Sequence, residues 1–321
     1  MSIHNRPIKS QNLCCSISVA FTKHVGEFVQ RVVLVYFVGE WLPHTCLSLK
    51  ITRANRIVLT LSMDDIEESK KLELEQRYVK LTYDNIAEDF SGTRYKKWPK
   101  IEKFLKSLTP SSLVLDVGCG NGKYLDNPTT FNIGCDISKN LLGICKIRGF
   151  EVVLCDMSRL PFRSEIFDTV LSVAALHHVV TSKRRQDCLN EMVNLMNPQQ
   201  GKLLAQVWSY EQDLDKDNVY LKKNLAATNE KVTILDNIEI QLHKNRTKFQ
   251  KQDLLVPFQS KKPSGTTNFD NSSEVHGNLR YYHVFKKGEL DSMFNGIPQV
   301  AILEAYHDKG NWCVIAGKGF D

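Results

Sequence analysis

The chain has 321 residues, 42% of them hydrophobic and 24% charged, with a formal net charge of +6. This balance excludes disordered, collagen-like and disulfide-scaffold classes and suffices for one large domain or two small ones. The mild basic excess is compatible with nucleic acid but does not require it. The longest apolar stretch near the start, residues 32–42, is interrupted by Glu40 and is too short to span a bilayer; it reads as neither a membrane anchor nor a secretory signal. Nine cysteines are scattered without C-x-x-C or metal-like His/Cys spacing, so no metal site is expected. Cys119, Cys135, Cys145 and Cys155 read as reduced thiols buried in an α/β core.

In chain order, residues 1–62 lack a sustained hydrophobic period and read as an extension of uncertain structure, not necessarily native, with a small accessory element as the alternative. Met63 is a second possible start. From there to residue 321 the chain reads as one domain. Leu72, Tyr78, Val79, Tyr83, Ile86 and Phe90 recur at helical spacing and predict a helix over 66–90. Pro99 opens a second helix to 108, in the position proline favours. Strands are expected at 113–117, 131–135, 151–155, 168–173 and 202–208, and helices at 122–126, 138–148 and 184–196. That alternation implies right-handed crossovers and a parallel sheet. Residues 209–279 are polar and Lys- and Asn-rich, and read as a partly mobile insertion with an apolar anchor at 254–258. The fold resumes with a strand at 281–285 and a helix at 287–294. Strands at 300–306 and 312–316 form an antiparallel hairpin at the sheet edge.

The chemistry gathers at strand ends. Residues 113–122 read Leu-Val-Leu-Asp-Val-Gly-Cys-Gly-Asn-Gly, a buried strand running into bare backbone where a ligand can lie flat. A dinucleotide fingerprint would need a small third residue at 123, where Lys123 stands. The spacing G-x-G-x-G, led by an acid in the strand end, resembles the S-adenosylmethionine loop of class I methyltransferases. That resemblance implies an α/β Rossmann-like fold with a seven-stranded, mostly parallel sheet and an antiparallel edge hairpin. It implies cofactor contacts from Asp116, Gly118, Gly120 and Gly122, with Asp116 holding loop amides or a water near the methionine amino group. Asp136 ends the second strand and suits the ribose hydroxyls; alternatively, it or Ser138 caps the next helix. Asp156 ends the third strand and suits the adenine amine, or else initiates a turn. The fourth strand ends in His177-His178, adjacent residues that should face opposite ways, so that at most one points into the crevice.

A more specific resemblance covers about residues 70–320. Tyr78-Val79, Tyr83, Ile86-Ala87, Phe90-Ser91 and the run from Thr93 to Pro99 (T-R-Y-K-x-W-P) resemble the leading segment of the tRNA wobble-uridine carboxymethyl methyltransferases. So do the run from Asp116 to Leu125, Leu160-Pro161-Phe162, Phe167-Asp168, His177-His178, Arg184-Arg185, Gln252-Asp253 with Val256-Pro257, and Asn311-Trp312. The block Arg280-Tyr281-Tyr282-His283, followed by Gly288-Glu289-Leu290, is much more specific than the glycine loop. The stand-alone form of that family, related to the methyltransferase half of an AlkB-type fusion, is the better match. Val179 stands where the family often has an aromatic residue, and Phe258 where it often has tryptophan.

This resemblance implies esterification of 5-carboxymethyluridine at the anticodon wobble position. It implies S-adenosylmethionine as cofactor, the tRNA anticodon stem-loop as substrate, a small zinc-binding activator subunit covering an apolar sheet-edge surface, and a cytoplasmic location with the nucleus as a second. A carboxylate with a pKa of roughly 4 is already an anion at neutral pH, so the site must hold rather than deprotonate it. Arg94, His178, Arg280, Tyr281 and His283 are the candidates for that pocket. Phosphate contact or a salt bridge is the alternative for Arg94 and Arg280, and packing for Tyr281. Trp98 and Trp312 could stack bases or pack in the core. Lys244, Arg246, Lys248, Lys251, Lys261 and Lys262 could meet the anticodon stem or be solvated. Two rival functions remain open: a methyltransferase acting on a small carboxylic acid, and a catalytically silent binding protein.

Overall fold

The computed structural model describes strands 16–20, 34–38, 48–51 and 57–60 by backbone, and then residues 63–94, 96–214, 220–222, 225–235, 238–259 and 278–319. The chain divides into two units, Met1–Ser69 and Lys70–Asp321. In the first, β1 (Ser16–Ala20) pairs antiparallel with β2 (Leu34–Val38), and β3 (Ser48–Ile51) with β4 (Ile57–Thr60). Two small strand pairs thus occupy the stretch in which sequence periodicity predicts no structure. No helix among the described residues is long and apolar enough to cross a membrane.

The second unit is built on a seven-stranded sheet. Its members are β5 (Leu113–Val117), β6 (Phe131–Asp136), β7 (Glu151–Leu154), β8 (Thr169–Val173), β9 (Lys202–Trp208), β14 (Ala301–Asp308) and β15 (Asn311–Gly317). Their order across the sheet is β14-β15-β9-β8-β5-β6-β7. The strands from β9 to β7 pair in parallel, and β15 inserts antiparallel between β9 and β14. β8 is buried at every position and β9 at five of seven, as strands covered on both faces must be, which is why they read as unbroken apolar runs. Helices α4 (Lys139–Ile147) and α5 (Ser182–Leu195) make the crossovers. The helix expected at 122–126 is absent. Gly118, Gly120 and Gly122 all have positive φ, and the chain turns there instead of winding.

The leading segment is helical as predicted, but not uniformly. α1 (Met63–Glu75) and α2 (Thr82–Thr93) are joined by a π-helical stretch, Gln76–Leu81. The single Thr82 hydroxyl proton is shared between Arg77 O at 3.1 Å and Leu279 O at 2.9 Å, which stabilises the wide turn. π-turns of this kind are frequent at functional sites. α3 (Pro99–Lys106) follows with proline in its first turn.

The polar stretch 209–279 carries strands the sequence reading did not anticipate. β10 (Lys231–Ile234), β11 (Ile238–Leu242) and β12 (Asp253–Pro257) join β13 (Leu279–His283) in a second, four-stranded sheet. Lys231–Ile234 alternates exposed and buried residues, so it looks polar although half its side chains are inside. The expected apolar anchor is β12. A cluster including Val79, Tyr83, Ile86, Leu242, Leu255 and Tyr281 binds this sheet to the leading helices.

Candidate active site

The carboxyl ends of β5, β6, β7, β8 and β9 open into one cavity of about 630 Å³, well within the usual range for small-molecule sites. Gly118 and Gly120 line it. Gly118 has φ +79, and a Cβ there would lie 2.2 Å from Ala175 Cβ, so only glycine fits. Gly122 does not line the cavity. It makes room for Phe150 behind the loop, where a Cβ would approach the ring to 2.7 Å, so its role is packing rather than cofactor contact.

Three acids face the cavity as the strand pattern predicts. Asp116 is 2% exposed, and its Oδ2 has no hydrogen-bond partner among the described residues. Burial, then the neighbouring Asp136 charge, push its carboxyl up to about 7, against the pull of Lys123. Asp136 accepts from the Gly120 and Ser138 amides, both at 2.8 Å, and so pins the glycine loop to β6. Burial raises its carboxyl even so. The helix cap is Ser138, whose hydroxyl oxygen accepts from Leu141 N at 3.2 Å, leaving Asp136 free of that alternative role. Asp156 accepts from Ser158 N at 2.8 Å, an Asx turn, and stands 3.3 Å from Arg184. Burial works upward there, but the Ser158 amide and the Arg184 charge outweigh it and hold the carboxyl below its usual range.

Arg184 also grips Glu75 from the leading helix, at 2.8 Å and 3.2 Å, while Glu75 accepts from Val180 N at 2.7 Å. Burial pushes Glu75 upward even as its charge raises Arg184. Three donors on one carboxylate, beside a guanidinium that cannot release its proton, keep the pair ionised.

His177 and His178 both line the cavity, contrary to the alternation argument. The chain leaves β8 through Ala174 at φ +59 and enters a 3₁₀ turn, Leu176–His178, so the period-2 rule no longer applies. His178 Nδ1 lies 2.7 Å from Tyr281 O, which can only accept, so Nδ1 carries the proton and Nε2 accepts from Tyr83 Oη at 2.9 Å. Burial lowers His178 to about 3 and carries His177 well below its ordinary value. Both rings are neutral, and His178 has both ring nitrogens engaged by Tyr281 O and Tyr83 Oη.

β13 places its candidates on opposite faces. Arg280 lines the cavity; Tyr281 and His283 do not. Tyr281 Oη donates to Asp253, with Val180 O also within reach at 3.2 Å, and its ring packs with the leading helices. His283 lies between Asp253 at 2.8 Å and Glu289 at 2.7 Å, a structural lock between β13 and α6 (Glu289–Asn295). Arg280 is 5% exposed, and no described carboxylate stands within ion-pair distance of it. Its Nη1 donates to Tyr282 Oη at 2.8 Å, its Nε is unpartnered among the described residues, and its guanidinium lies over the Phe258 and Tyr282 rings at 5.3 and 5.2 Å. Phe258 therefore keeps an aromatic face under this cation. Arg94 is exposed and stands at the cavity mouth with Lys96.

Trp98 lines the cavity beneath the Lys123 ammonium, 4.7 Å from the ring centroid. Trp312 does not line it; its indole donates to Glu211 at 3.1 Å and its ring packs on the core. Lys248 pairs with Asp213 at 2.7 Å. Lys261 and Lys262 lie outside the described residues. Sequence reasoning missed Lys123, Trp208 and Tyr220, all of which line the cavity. Trp208 ends β9, and the rule that placed Asp116, Asp136 and Asp156 could have flagged it. Tyr220 carries no local signal.

The strand order, the glycine loop and the three acids define a class I S-adenosylmethionine-dependent methyltransferase. Residues 115–204 match the family described as "Methyltransferase domain". The CcbJ methyltransferase from Streptomyces caelestis shares the fold, with a TM-score of 0.50 at 16% identity over 74% of this chain and 97% of that one. The chain belongs to the tRNA (carboxymethyluridine(34)-5-O)-methyltransferase family: it is 35% identical to the Schizosaccharomyces pombe member, over 77% of this chain and 99% of that protein. It is 44% identical to the alkbh8 protein of Xenopus tropicalis, over 76% of this chain and 41% of that protein. It thus spans less than half the length of these vertebrate relatives.

Proposed function

We propose that this chain methylates the carboxylate of 5-carboxymethyluridine at the wobble position of a tRNA anticodon, the reaction named for its relatives. The observation that carries this reading is Arg280: a buried guanidinium with no described carboxylate partner, in the wall of the cavity whose floor is Asp116. A buried charge left uncompensated is costly, and a substrate carboxylate would compensate it with bidentate geometry.

The acidic end fits the cofactor. Asp116 offers an unpartnered carboxylate oxygen to an ammonium, while Lys123, lowered to about 8 by burial, stands beside it for the amino acid's carboxylate. Asp136 keeps unused lone pairs for ribose hydroxyls, and Asp156 for the adenine amine. Bound there, S-adenosylmethionine supplies a methyl group activated by a sulfonium. The residues of the chain need only hold and orient. Arg280 fixes the substrate oxygen without a proton transfer, since the carboxylate is already ionised. Neutral His177 and His178 add no competing charge, and the Tyr83–His178–Tyr281 chain of hydrogen bonds keeps that wall in place. The resemblance also implies an activator subunit on an apolar sheet edge. β7 is such an edge, unpaired on one side among the described residues, with Leu154 55% exposed.

The test is Arg280→Ala, assayed with a stem-loop RNA carrying 5-carboxymethyluridine and with calorimetry of S-adenosylhomocysteine. Turnover should fall about a hundredfold, in line with the ~2–5 kcal/mol typical of truncating a buried charge partner, while cofactor affinity stays within twofold. Equal turnover of a free carboxylic acid after RNase treatment would favour the small-molecule reading. Absence of S-adenosylhomocysteine binding to the parent protein would favour the silent one.

A further inference from the structure

The cavity wall has two aromatic rings that the acids and Arg280 do not explain. Trp208, at the end of β9, and Tyr220, from the stretch between β9 and β10, line it together. Their rings meet edge to face, with centroids 5.8 Å apart and planes at 60°, and so form a corner. Each ring is braced from outside. Trp208 stacks on Tyr282 at 4.4 Å with an interplanar angle of 18°. Tyr220 stacks on Phe249 at 5.8 Å and 26°, and its hydroxyl shares a 2.7 Å hydrogen bond with His243 Nε2. Burial lowers His243 to about 4, so this brace is uncharged. Both Trp208 and Tyr220 remain partly accessible while their braces Tyr282, Phe249 and His243 are buried.

Tyr282 connects this corner to the anion seat. Its ring underlies Trp208, and its hydroxyl accepts from Arg280. Corner and guanidinium therefore stand one tyrosine side chain apart, comparable with the span of a pyrimidine ring carrying a two-carbon acid arm at C5. Resting on the reading above, we infer that Trp208 and Tyr220 are the platform for the substrate's pyrimidine ring, taken from a single-stranded or extruded nucleotide, with its acid arm directed to Arg280. Stacking on aromatic side chains is how proteins hold unpaired RNA bases. A base inside a helix could not reach an enclosed corner without leaving its stack. The platform is assembled from two layers, since Trp208 belongs to the seven-stranded sheet while Phe249 and Tyr282 come from the β11–β12 connection and β13. The second sheet is thus part of the substrate site.

The experiment compares the parent with Trp208→Ala, Trp208→Phe, Tyr220→Ala and Tyr220→Phe. Each is assayed on the same stem-loop RNA and titrated with S-adenosylhomocysteine. The alanine variants should raise KM for the RNA about tenfold, as loss of one base–aromatic stack does, while S-adenosylhomocysteine affinity stays within twofold and reports an intact fold. Both phenylalanine variants keep a ring and should lie within about threefold of the parent. KM within twofold of the parent in both alanine variants, with cofactor affinity intact, would overturn the platform. Equal damage from Tyr220→Phe and Tyr220→Ala would also overturn it, because the hydroxyl rather than the ring would then matter. A parent that binds S-adenosylhomocysteine but transfers no methyl to the RNA would overturn the proposed function itself, and the platform with it.

Discussion

On the proposal that Asp116 receives the ammonium of the cofactor, cofactor affinity should depend on pH in a way that identifies which part of the ligand it touches. Its carboxyl lies at about 7 in the free protein, against 3.8 for an unperturbed aspartate. Holding it ionised inside the fold therefore costs roughly 4 kcal/mol, at about 1.4 kcal/mol per pH unit of displacement. The sign follows: the folded value is raised, so the neutral form suits the folded state, and stability declines as pH rises from about 4 to about 7. An ammonium binds only the ionised form. The apparent dissociation constant then scales as one plus the ratio of proton activity to the acid constant, about 1.3 at pH 7.5 and about 33 at pH 5.5, a loss of about 25-fold. Calorimetry with S-adenosylhomocysteine across that range checks this. Methylthioadenosine, which lacks the amino acid end, should show no comparable slope, and Asp116→Asn should bind S-adenosylhomocysteine weakly and without the slope. A flat profile for S-adenosylhomocysteine in the parent, or the same slope for methylthioadenosine, would refute the assignment.

Glu75→Gln removes one partner of a buried ion pair and leaves Arg184 with Asp156 alone. The expected loss is about 3 kcal/mol, read by calorimetry as a fall of about 10 °C in Tm for a unit of this size; a change under about 2 °C would show the pair to be dispensable. His283 is drawn down by burial, but Asp253 and Glu289 more than offset this and raise it above 6.5. Its contribution is therefore complete below about 6.5 and disappears as pH rises through the folded value. The Tm difference between the parent and His283→Gln should accordingly be larger at pH 6 than at pH 9, and a constant difference would deny the ion-pair account.

The parallel sheet was legible because strands covered on both faces are continuously apolar and because their ends carry Asp116, Asp136 and Asp156 in step. The Arg280–His283 block was legible as a resemblance, but not the division of labour within it, since Asp253 and Glu289 reach His283 only through tertiary contacts. β10 and β11 were missed because half-exposed antiparallel strands dilute their apolar residues with Lys231, Thr233, Glu239 and Gln241. The histidine pair was misjudged because Ala174 takes a positive φ that no residue type announced. Lys123 was weighed only for the motif it breaks, whereas it lines the same cavity as Asp116. Trp208 and Tyr220 converge from different layers, and nothing in their local sequence brings them together.

The pairing of β13 with β12, from Asp253 opposite His283 to Pro257 opposite Leu279, aligns two separate jobs on one ribbon. Side chains on one face of β13 line the cavity, and those on the other fasten the ribbon to its neighbours. A shift of one step would exchange the two sets, presenting Tyr281 and His283 to the cavity and turning the guanidinium toward Asp253, where it would be neutralised. A single residue gained or lost within 279–283 would therefore take Arg280 out of the cavity wall and undo the His283 anchorage together. In a lineage of such proteins, that ribbon should be free of gaps.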